Sequence, residues 1–326
     1  MDLTELGSVH GVVVARRDAV VEEWYGSGPD FSWGVPLGVV DFGPDTLHDM
    51  RSVTKSVVAL LYGIALERGL VPAPDEPLVR HFPEYPDLAA DPERATRTVG
   101  HALTMTLGVE WDESVPYTGP ANAEIAMELA ADRYRFVLER PLVDEPGRQW
   151  HYCGGASALL GGLISKGSGQ GLADLARAEL FTPLGIDRFE WMAGGDGVPS
   201  AASGLRLTPR GLARGGQLVL GDGLGIVPAS WLDVALRTHV TIGGTLRYGY
   251  QWYLDTVGPH RTVSAMGNGG QRLFVLPDLD LAVAVTAGGY DSADQSATPD
   301  AVLARVLASL PTGSALPTGS APTGGS

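Results

Sequence analysis

The chain has 326 residues with 23 Lys and Arg against 38 Asp and Glu, so its formal net charge is −15. Nucleic acids and anionic membranes bind basic surfaces, which this composition disfavours, and we expect neither as a partner. At 44% hydrophobic residues the sequence can fill a large core, and its length fits one large domain or two intertwined ones. We therefore expect a soluble protein whose partner is a cationic or neutral small molecule.

The N-terminal stretch contains Asp2 and Glu5 and lacks the basic start and the cleavage site of a secretion signal. The longest apolar run, at 57–66, is about half of the roughly 20 residues that a membrane span needs. These patterns predict a cytoplasmic protein without a membrane anchor.

The first elements in chain order are two alternating apolar segments, at 9–15 and 19–25, which predict a β-hairpin. Residues 52–68 are apolar on nearly every side and stop at Gly69, which is typical of a helix buried in a core. Helical patterns separated by Pro and Gly follow at 98–107, 122–138, 155–165, 172–180, 209–220 and 230–237. Strand patterns return at 248–254, 261–266, 271–276 and 281–286, and a last helix is predicted at 299–310.

Strand patterns at both ends of the chain predict an α/β (α+β) fold, in which one antiparallel sheet is flanked by helices and interrupted by a large all-helical insertion. We assign residues 1–70 and 240–310 to the α/β domain and residues 71–239 to a mainly helical domain. A cleft between the two is the natural place for a site. Residues 311–326 repeat Pro-Thr-Gly with few apolar groups, which predicts a disordered tail.

Only two of the 23 basic residues are lysines, Lys55 and Lys166. A buried lysine can lose its proton and an arginine effectively cannot, so a lysine in an arginine-rich chain is a candidate for chemistry. Lys55 forms a Ser-x-x-Lys motif with Ser52 at the start of the predicted buried helix. The alternative interpretation is a helix-start serine followed by an exposed lysine.

The spacing of this motif suits proton transfer, because residues three apart share a helix face and Lys55 can reach the Ser52 hydroxyl. A neutral Lys55 could accept the serine proton, or a charged Lys55 could lower the pKa of another base. Tyr152 is a candidate second base or a buried aromatic that caps a helix. The glycine-rich segment 267–271 is either a turn or a backbone that approaches a ligand closely.

Taken together, these segments resemble the serine β-lactamase and penicillin-binding-protein superfamily, in particular its class C-like branch of esterases, amide hydrolases and transacylases. The resemblance covers nearly the whole chain to about Leu310 and implies a β-lactamase/transpeptidase-like fold. It rests on the Ser-Val-Thr-Lys motif at 52–55, on 101–111, on Glu-Pro-Gly at 145–147 leading to Tyr152, and on 180–186, 203–210 and 267–276.

The resemblance implies that Ser52 is the acylated nucleophile and Lys55 its proton acceptor or electrostatic partner. Tyr152 matches the tyrosine of the family's Tyr-x-Asn motif, which protonates the leaving group and then activates water. Asn268, Gly269 and Gly270 occupy the place of the Lys-Thr-Gly motif. The backbone N–H groups of Ser52 and Gln271 would then form the oxyanion hole.

Two positions depart from the family's pattern: Gly154 stands in the place of the asparagine of Tyr-x-Asn, and Asn268 in the place of the lysine of Lys-Thr-Gly. These positions supply polar contacts to a β-lactam's amide and carboxylate. We therefore expect an esterase, an amide hydrolase similar to nylon-oligomer hydrolases, or an acyltransferase, with a cleft less suited to carboxylate substrates. We assign to substrate binding Asn268, Gly269, Gly270, Gly154, Trp111, Tyr117 and Asn122, with core or loop packing an equal interpretation of the last three.

Other sites leave no trace in the sequence. It has no Gly-x-Ser-x-Gly elbow and no P-loop glycine before either lysine. Its seven histidines show no His-x-x-x-His spacing and Cys153 is the single cysteine, so we expect no metal site, no cofactor and no disulfide. The alternatives that remain are an acyltransferase, a β-lactamase or D-Ala-D-Ala peptidase, and a catalytically silent binding module. The oligomeric state is not indicated.

Overall fold

The computed structural model describes residues 1–310. Their strands are β1 (Val9–Ala15), β2 (Val20–Tyr25), β3 (Ser27–Ser32), β4 (Val35–Asp41), β5 (His48–Asp49), β6 (Phe189–Trp191), β7 (Leu205–Leu207), β8 (Val240–Gly243), β9 (Leu246–Tyr248), β10 (Tyr253–Val257), β11 (His260–Gly267), β12 (Gln271–Leu276) and β13 (Leu281–Ala287). Their helices are α1 (Val53–Glu67), α2 (Pro86–Ala89), α3 (Val99–Leu103), α4 (Ala123–Glu128), α5 (Arg133–Leu138), α6 (Gly154–Ser168), α7 (Leu172–Ala176), α8 (Pro209–Leu220), α9 (Ala229–Ala235) and α10 (Ala297–Ser309). Three short 3₁₀ turns and a π-helical segment after α7 complete the set.

An eight-stranded antiparallel sheet forms the centre of the protein, with strand order β2-β1-β13-β12-β11-β10-β9-β8. The N-terminal hairpin joins the C-terminal strands through β1, which pairs with β13 from Val9 opposite Ala287 to Ala15 opposite Ala282. This arrangement confirms the predicted sheet built from both ends of the chain. Two smaller sheets, β3-β4 and β5-β7-β6, lie beside it, and β6 and β7 are short strands inside the block that was predicted to be all-helical.

Helices cover both faces of the sheet because successive strand residues point to opposite faces. On one face Val13 and Ala284 belong to the main core, against which α8 packs. On the other face Val12 and Val283 pack with Val302 of α10. Helix α8 lies within 71–239 and yet contacts β13. The division into two domains stays a prediction, and the predicted tail at 311–326 lies outside the described residues.

Helix α1 passes between the sheet and the helical block, where it contacts β11 on one side and α6 on the other. All its residues from Val53 to Ala65 are buried, because apolar side chains cover almost every side of the helix. The start of α1, with Ser52, therefore lies at the junction of the two parts of the molecule.

Two of the predicted elements have a different form in the structure. The predicted helix at 122–138 is two helices, because the side chain of Asp132 accepts a hydrogen bond from the Arg135 N–H and starts α5 afresh. The predicted strand at 248–254 falls on a turn between β9 and β10, where Gln251 has a φ of 63° that a strand does not allow. Within 1–310, no helix combines the length and the hydropathy of a membrane span.

Candidate active site

Lys55 is buried beside Ser52 and makes three hydrogen bonds. Its side chain is 2% exposed, and its Nζ donates to Ser52 Oγ at 3.0 Å, to the Ala202 carbonyl at 2.8 Å and to Glu124 Oε2 at 3.2 Å. Three acceptors match the three N–H groups of an ammonium. The alternative of an exposed lysine at the helix surface is therefore wrong.

Ser52 occupies the N-cap position of α1, yet its side chain caps nothing there. Its backbone N–H has no hydrogen-bond partner in the part of the chain that the structure describes. Arg51, directly before it, has a φ of 49°, a conformation that costs a non-glycine residue free energy and is concentrated at functional sites. The Ser52 N–H is therefore available to a ligand, while the hydroxyl accepts a hydrogen bond from Lys55.

Tyr152 lies between Trp150 and the start of α6, and it lines the same cavity as Ser52. The Lys55 Nζ is 4.9 Å from the centroid of its ring. Burial raises the pKa of Tyr152 well above its ordinary value, and Tyr253, Glu113 and Glu124 raise it further. The phenol is thus protonated at neutral pH and has a proton to give.

Two carboxylates that the sequence analysis missed complete this cluster. Glu124 accepts from Lys55 through Oε2 and from the Ser203 hydroxyl through Oε1. Glu113 accepts from the Gly154 N–H at 2.6 Å and from the Tyr117 hydroxyl at 2.8 Å. Burial and the charge of Glu124 raise the pKa of Glu113 to about 7, although Lys55 opposes that shift.

The surroundings of Gly154 explain why a glycine stands where the family has an asparagine. A Cβ atom there would lie 2.4 Å from Glu124 Oε2, which is too short for atoms that are not bonded, and 3.0 Å from Glu113 Oε1, which is a tight contact. The two carboxylates occupy the space that an asparagine side chain would need. Sequence signals for them were weak, since acidic residues are common in this chain and the two lie 69 and 58 positions from Lys55.

A cavity of about 470 Å³ opens above Ser52. Among the residues predicted for the site, Ser52, Tyr152, Tyr117 and Asn268 line it. Trp111 is 3% exposed and donates from Nε1 to Glu113 at 2.5 Å. Asn122 is fully buried and caps α4, where its Oδ1 accepts from the Glu124 N–H at 3.0 Å. Both residues position Glu113 or Glu124 and lie outside the cavity wall.

The glycines predicted at the substrate wall shape a hairpin instead. Gly269 and Gly270 have φ values of 91° and 90°, which favour glycine in a tight turn. The Gly269 N–H donates to Gln295 Oε1 at 2.6 Å, and a Cβ on Gly269 would lie 2.6 Å from the Tyr290 ring. The Asn268 side chain donates to Asp291 Oδ1 at 2.6 Å, so it closes the cavity rim.

Gln271 does not reach the cavity. It is fully buried, and its side-chain amide donates to the Ala287 carbonyl at 2.6 Å. The end of β11 lines the cavity in its place, through Met266 and Gly267. Strand β10 begins at Tyr253 opposite Ser264, so the backbone of β11 beyond Ser264 has no partner strand on that edge.

Arg272 is a second functional candidate that the sequence analysis missed. It lines the cavity while being only 5% exposed, and a guanidinium nitrogen donates to Ser296 Oγ at 3.0 Å. Its Nε is buried without a hydrogen-bond partner among residues 1–310. A cation beside the cavity modifies the expectation of a cleft poorly suited to carboxylates. The sequence signal that could have identified Arg272 was a charged residue within an otherwise largely apolar strand.

The family model "Beta-lactamase" matches residues 5–307. The 6-aminohexanoate-dimer hydrolase of Paenarthrobacter ureafaciens is 24% identical over 82% of this chain and 69% of that protein. Esterase EstB of Burkholderia gladioli is 31% identical, over 44% of this chain and 38% of its own length.

Solved structures share the fold. A Bacillus anthracis protein, provisionally described as a 6-aminohexanoate-dimer hydrolase, superposes with a TM-score of 0.76 at 20% identity, over 95% of this chain and 83% of that one. EstCE1, described as a hydrolase with promiscuous acyltransferase activity, has a TM-score of 0.71 at 17% identity and covers 92% and 95% of the two chains. Because the family model spans nearly all described residues, the chain belongs to the β-lactamase family and is a serine hydrolase of β-lactamase-like fold.

Proposed function

We propose that the protein cleaves a carboxylic ester or amide of a small molecule through an acyl-enzyme on Ser52. The hydrogen bond from Lys55 Nζ to Ser52 Oγ at 3.0 Å, inside a buried cluster that opens to a cavity, is the observation that carries this proposal. Nucleophilic catalysis by serine needs an adjacent group that removes its proton.

Attack by Ser52 Oγ on the substrate carbonyl forms the new C–O bond while the serine proton leaves. Lys55 Nζ already donates three hydrogen bonds, as an ammonium does, and has no lone pair for a further proton. We therefore propose that it passes one proton to Glu124 Oε2 as it takes the proton from Ser52. As a result Glu124 gains one proton, Ser52 loses one, and Lys55 stays an ammonium. This role differs from that of a simple neutral base.

Tyr152 is suited to protonate the leaving group, since its raised pKa keeps the phenol protonated before the reaction. The C–O or C–N bond of the substrate breaks as Tyr152 gives up its proton. The resulting phenolate, with the Lys55 ammonium 4.9 Å from the ring centroid, can then take a proton from water. Attack of that water on the acyl-enzyme releases the acid, and Ser52 recovers its proton from Glu124 through Lys55.

The oxyanion would be held by two backbone donors. Ser52 N–H is one, because it has no other partner among the described residues. The unpaired edge of β11 at Met266 lines the same cavity and supplies the second, in place of Gln271. Preorganised donors of this kind stabilise the charge that develops in the transition state.

The Arg272 guanidinium suits an anionic group on the substrate, since arginine pairs with a carboxylate in a bidentate geometry. If a substrate carries a carboxylate away from its scissile bond, that carboxylate would bind Arg272 at the end of the cavity where Ser296 lies. We expect a lower KM for such a substrate than for its methyl ester.

A fluorophosphonate probe and p-nitrophenyl esters test the proposal. We expect one adduct per chain by intact mass, located on Ser52, together with ester turnover. Ser52→Ala should lose both, and Ser114→Ala, which alters an exposed serine of the same cavity, should lose neither. An unlabelled Ser52 with no turnover would establish a silent binding module.

A substrate panel with one preparation then separates the alternatives. Aryl esters, short amides and a chromogenic cephalosporin distinguish esterase or amidase from β-lactamase activity. An added alcohol or amine, with product analysis, shows whether water or another nucleophile receives the acyl group.

A further inference from the structure

Three buried polar side chains converge outside the cavity, and each comes from a different strand: His10 from β1, Asp30 from β3 and His48 from β5. They are 1%, 1% and 0% exposed. One nitrogen from each histidine and one carboxylate oxygen all lie within 4.8 Å of one another. We call these three residues the histidine cluster.

The hydrogen bonds of His48 determine which of its nitrogens has a lone pair. Its Nδ1 is 3.1 Å from the Asp49 carbonyl oxygen, which only accepts, so Nδ1 carries the proton. In the neutral ring Nε2 is then an acceptor, and it lies 2.9 Å from His10 Nδ1 and 3.5 Å from Asp30 Oδ1. The lone pair of Nε2 therefore accepts from His10 Nδ1–H, and among the described residues neither ring gives the nearby Asp30 carboxylate a hydrogen bond.

The Asp30 carboxylate has too few partners for a buried anion. Its Oδ1 accepts from the Tyr290 hydroxyl at 3.0 Å, while its Oδ2 is buried without a hydrogen-bond partner in residues 1–310. Buried charges are normally paired or coordinate a metal, because leaving them unpaired is costly.

The position of the His10 ring is tightly constrained. Phe42 stacks on it at 4.2 Å between ring centroids. A Cβ on Gly28 would lie 2.7 Å from its Nε2, and one on Gly288 would lie 2.5 Å from its Cε1. The backbone thus encloses the ring on two sides, as a preorganised ligand requires.

We propose that His10 Nδ1, His48 Nε2 and the Asp30 carboxylate bind one Zn²⁺ ion. Two imidazoles and a carboxylate suit zinc, and the bond from His48 Nδ1–H to a backbone carbonyl is the outer contact that orients a ligating histidine. Tetrahedral bonds of about 2.0–2.1 Å place ligand atoms roughly 3.3 Å apart. That spacing lies between the present 2.9 Å from His10 Nδ1 to His48 Nε2 and 3.5 Å from His48 Nε2 to Asp30 Oδ1. His10 moves its proton from Nδ1 to Nε2, and no net proton is released.

The ion would lie outside the catalytic cavity and would brace one wall of it. The Tyr290 hydroxyl donates a hydrogen bond to Asp30, and its ring lies against the turn at Gly269. The Arg51 guanidinium carbon lies over this ring, 5.0 Å from its centroid. The residues that follow it, Asp291 and Ser292, line the cavity beside Ser52. Zinc at the histidine cluster would therefore hold this segment in place.

Titration calorimetry with Zn²⁺ on the full chain, after dialysis against a chelator, tests the proposal. We expect one tightly bound ion per chain and a higher Tm. Asp30→Asn keeps the shape of the side chain and removes the anionic ligand, so it should weaken binding by more than the 10–100-fold that a lost outer contact costs. Ser52→Ala should bind zinc as the unaltered chain does, which separates this proposal from the proposed function.

The exposed pair of His260 and Asp278, 2.6 Å apart, is the matched control because an adventitious ion would choose it. His260→Gln should leave the tight site unchanged; loss of binding in that variant, or full binding in Asp30→Asn, would overturn the proposal. X-ray absorption on the zinc-loaded unaltered chain should show nitrogen and oxygen ligands only. This measurement does not depend on whether the variants fold. Absence of stoichiometric zinc from the unaltered chain would overturn the proposal and mean that a hydrogen-bonded network alone occupies the cluster.

Discussion

Two buried polar clusters of this protein satisfy their charges in different ways. In the lysine cluster of Ser52, Lys55, Glu124 and Tyr152, the cation and the carboxylate lie 3.2 Å apart and the serine opens to a cavity. In the histidine cluster the carboxylate of Asp30 lies beside two imidazole rings. A paired, open cluster can move protons to and from a ligand, whereas converging acceptors in a closed space suit a bound cation.

The positions of the two clusters explain the difference. The lysine cluster lies where α1 passes between the sheet and the helical block, so a cleft reaches it. The histidine cluster lies among β1, β3 and β5, whose backbones and side chains enclose it. The following changes test whether the lysine cluster depends on each of its charges.

Replacement of Lys55 should have the largest effect. We expect Lys55→Arg to lose about 10²–10⁴-fold in kcat/KM, because proton relay needs a compact group that can give up a proton. Lys166→Arg is the control, since Lys166 forms an ion pair with Glu84 on the partly exposed surface. Near-normal turnover of p-nitrophenyl esters by Lys55→Arg would contradict the proposed role.

Loss of the Glu124 charge should come next. Glu124→Gln leaves the Lys55 ammonium without its carboxylate in a buried site, which we expect to cost about 3 kcal/mol in the free energy of unfolding. It should also slow acylation, because the final proton acceptor is gone. Urea denaturation and pre-steady-state ester kinetics measure the two effects, with Glu110→Gln, at an exposed position, as control. Unchanged acylation would remove Glu124 from the relay.

Filling the space at Gly154 should disturb both carboxylates at once. Gly154→Ala puts a methyl group 2.4 Å from Glu124 Oε2, and we expect about 1–3 kcal/mol of destabilisation and reduced turnover. Gly119→Ala is matched to it, since no atom lies within 4 Å of a Cβ there. Equal thermal stability of the two variants would show that the carboxylates can move away freely.

The smallest expected effect is the pH dependence due to Glu113. Its pKa is raised from 4.5 to about 7, so the folded protein holds a proton that the unfolded chain loses. The free energy of unfolding should therefore fall as the pH rises from about 4.5 to about 7 and then level off. Glu113→Gln should flatten this slope and Glu110→Gln should preserve it. Part of the slope will remain, because burial also raises the pKa of Glu128 to about 7. An unchanged slope in Glu113→Gln would mean that its pKa is ordinary.

Local patterns predicted much of the fold. Helix α8 and strand β12 begin and end where their apolar spacing indicated, because period and flanking turns are encoded within each segment. The break between α4 and α5 was missed, since the capping of α5 by Asp132 interrupts a helical pattern that continues across it. The placement of Ser52 beside Lys55 followed from spacing within a single helical turn.

The sequence by itself determined the antiparallel sheet built from both ends of the chain, the family, and the Ser-x-x-Lys pair at the start of a buried helix. These depend on contacts between near neighbours and on ordered motifs. Only the tertiary structure decided that Glu113 and Glu124 fill the space at Gly154, that β11 replaces Gln271 at the cavity, and that His10, Asp30 and His48 meet. Each of these depends on residues far apart in the chain, whose distances are set by how strands and helices pack and not by spacing along the sequence.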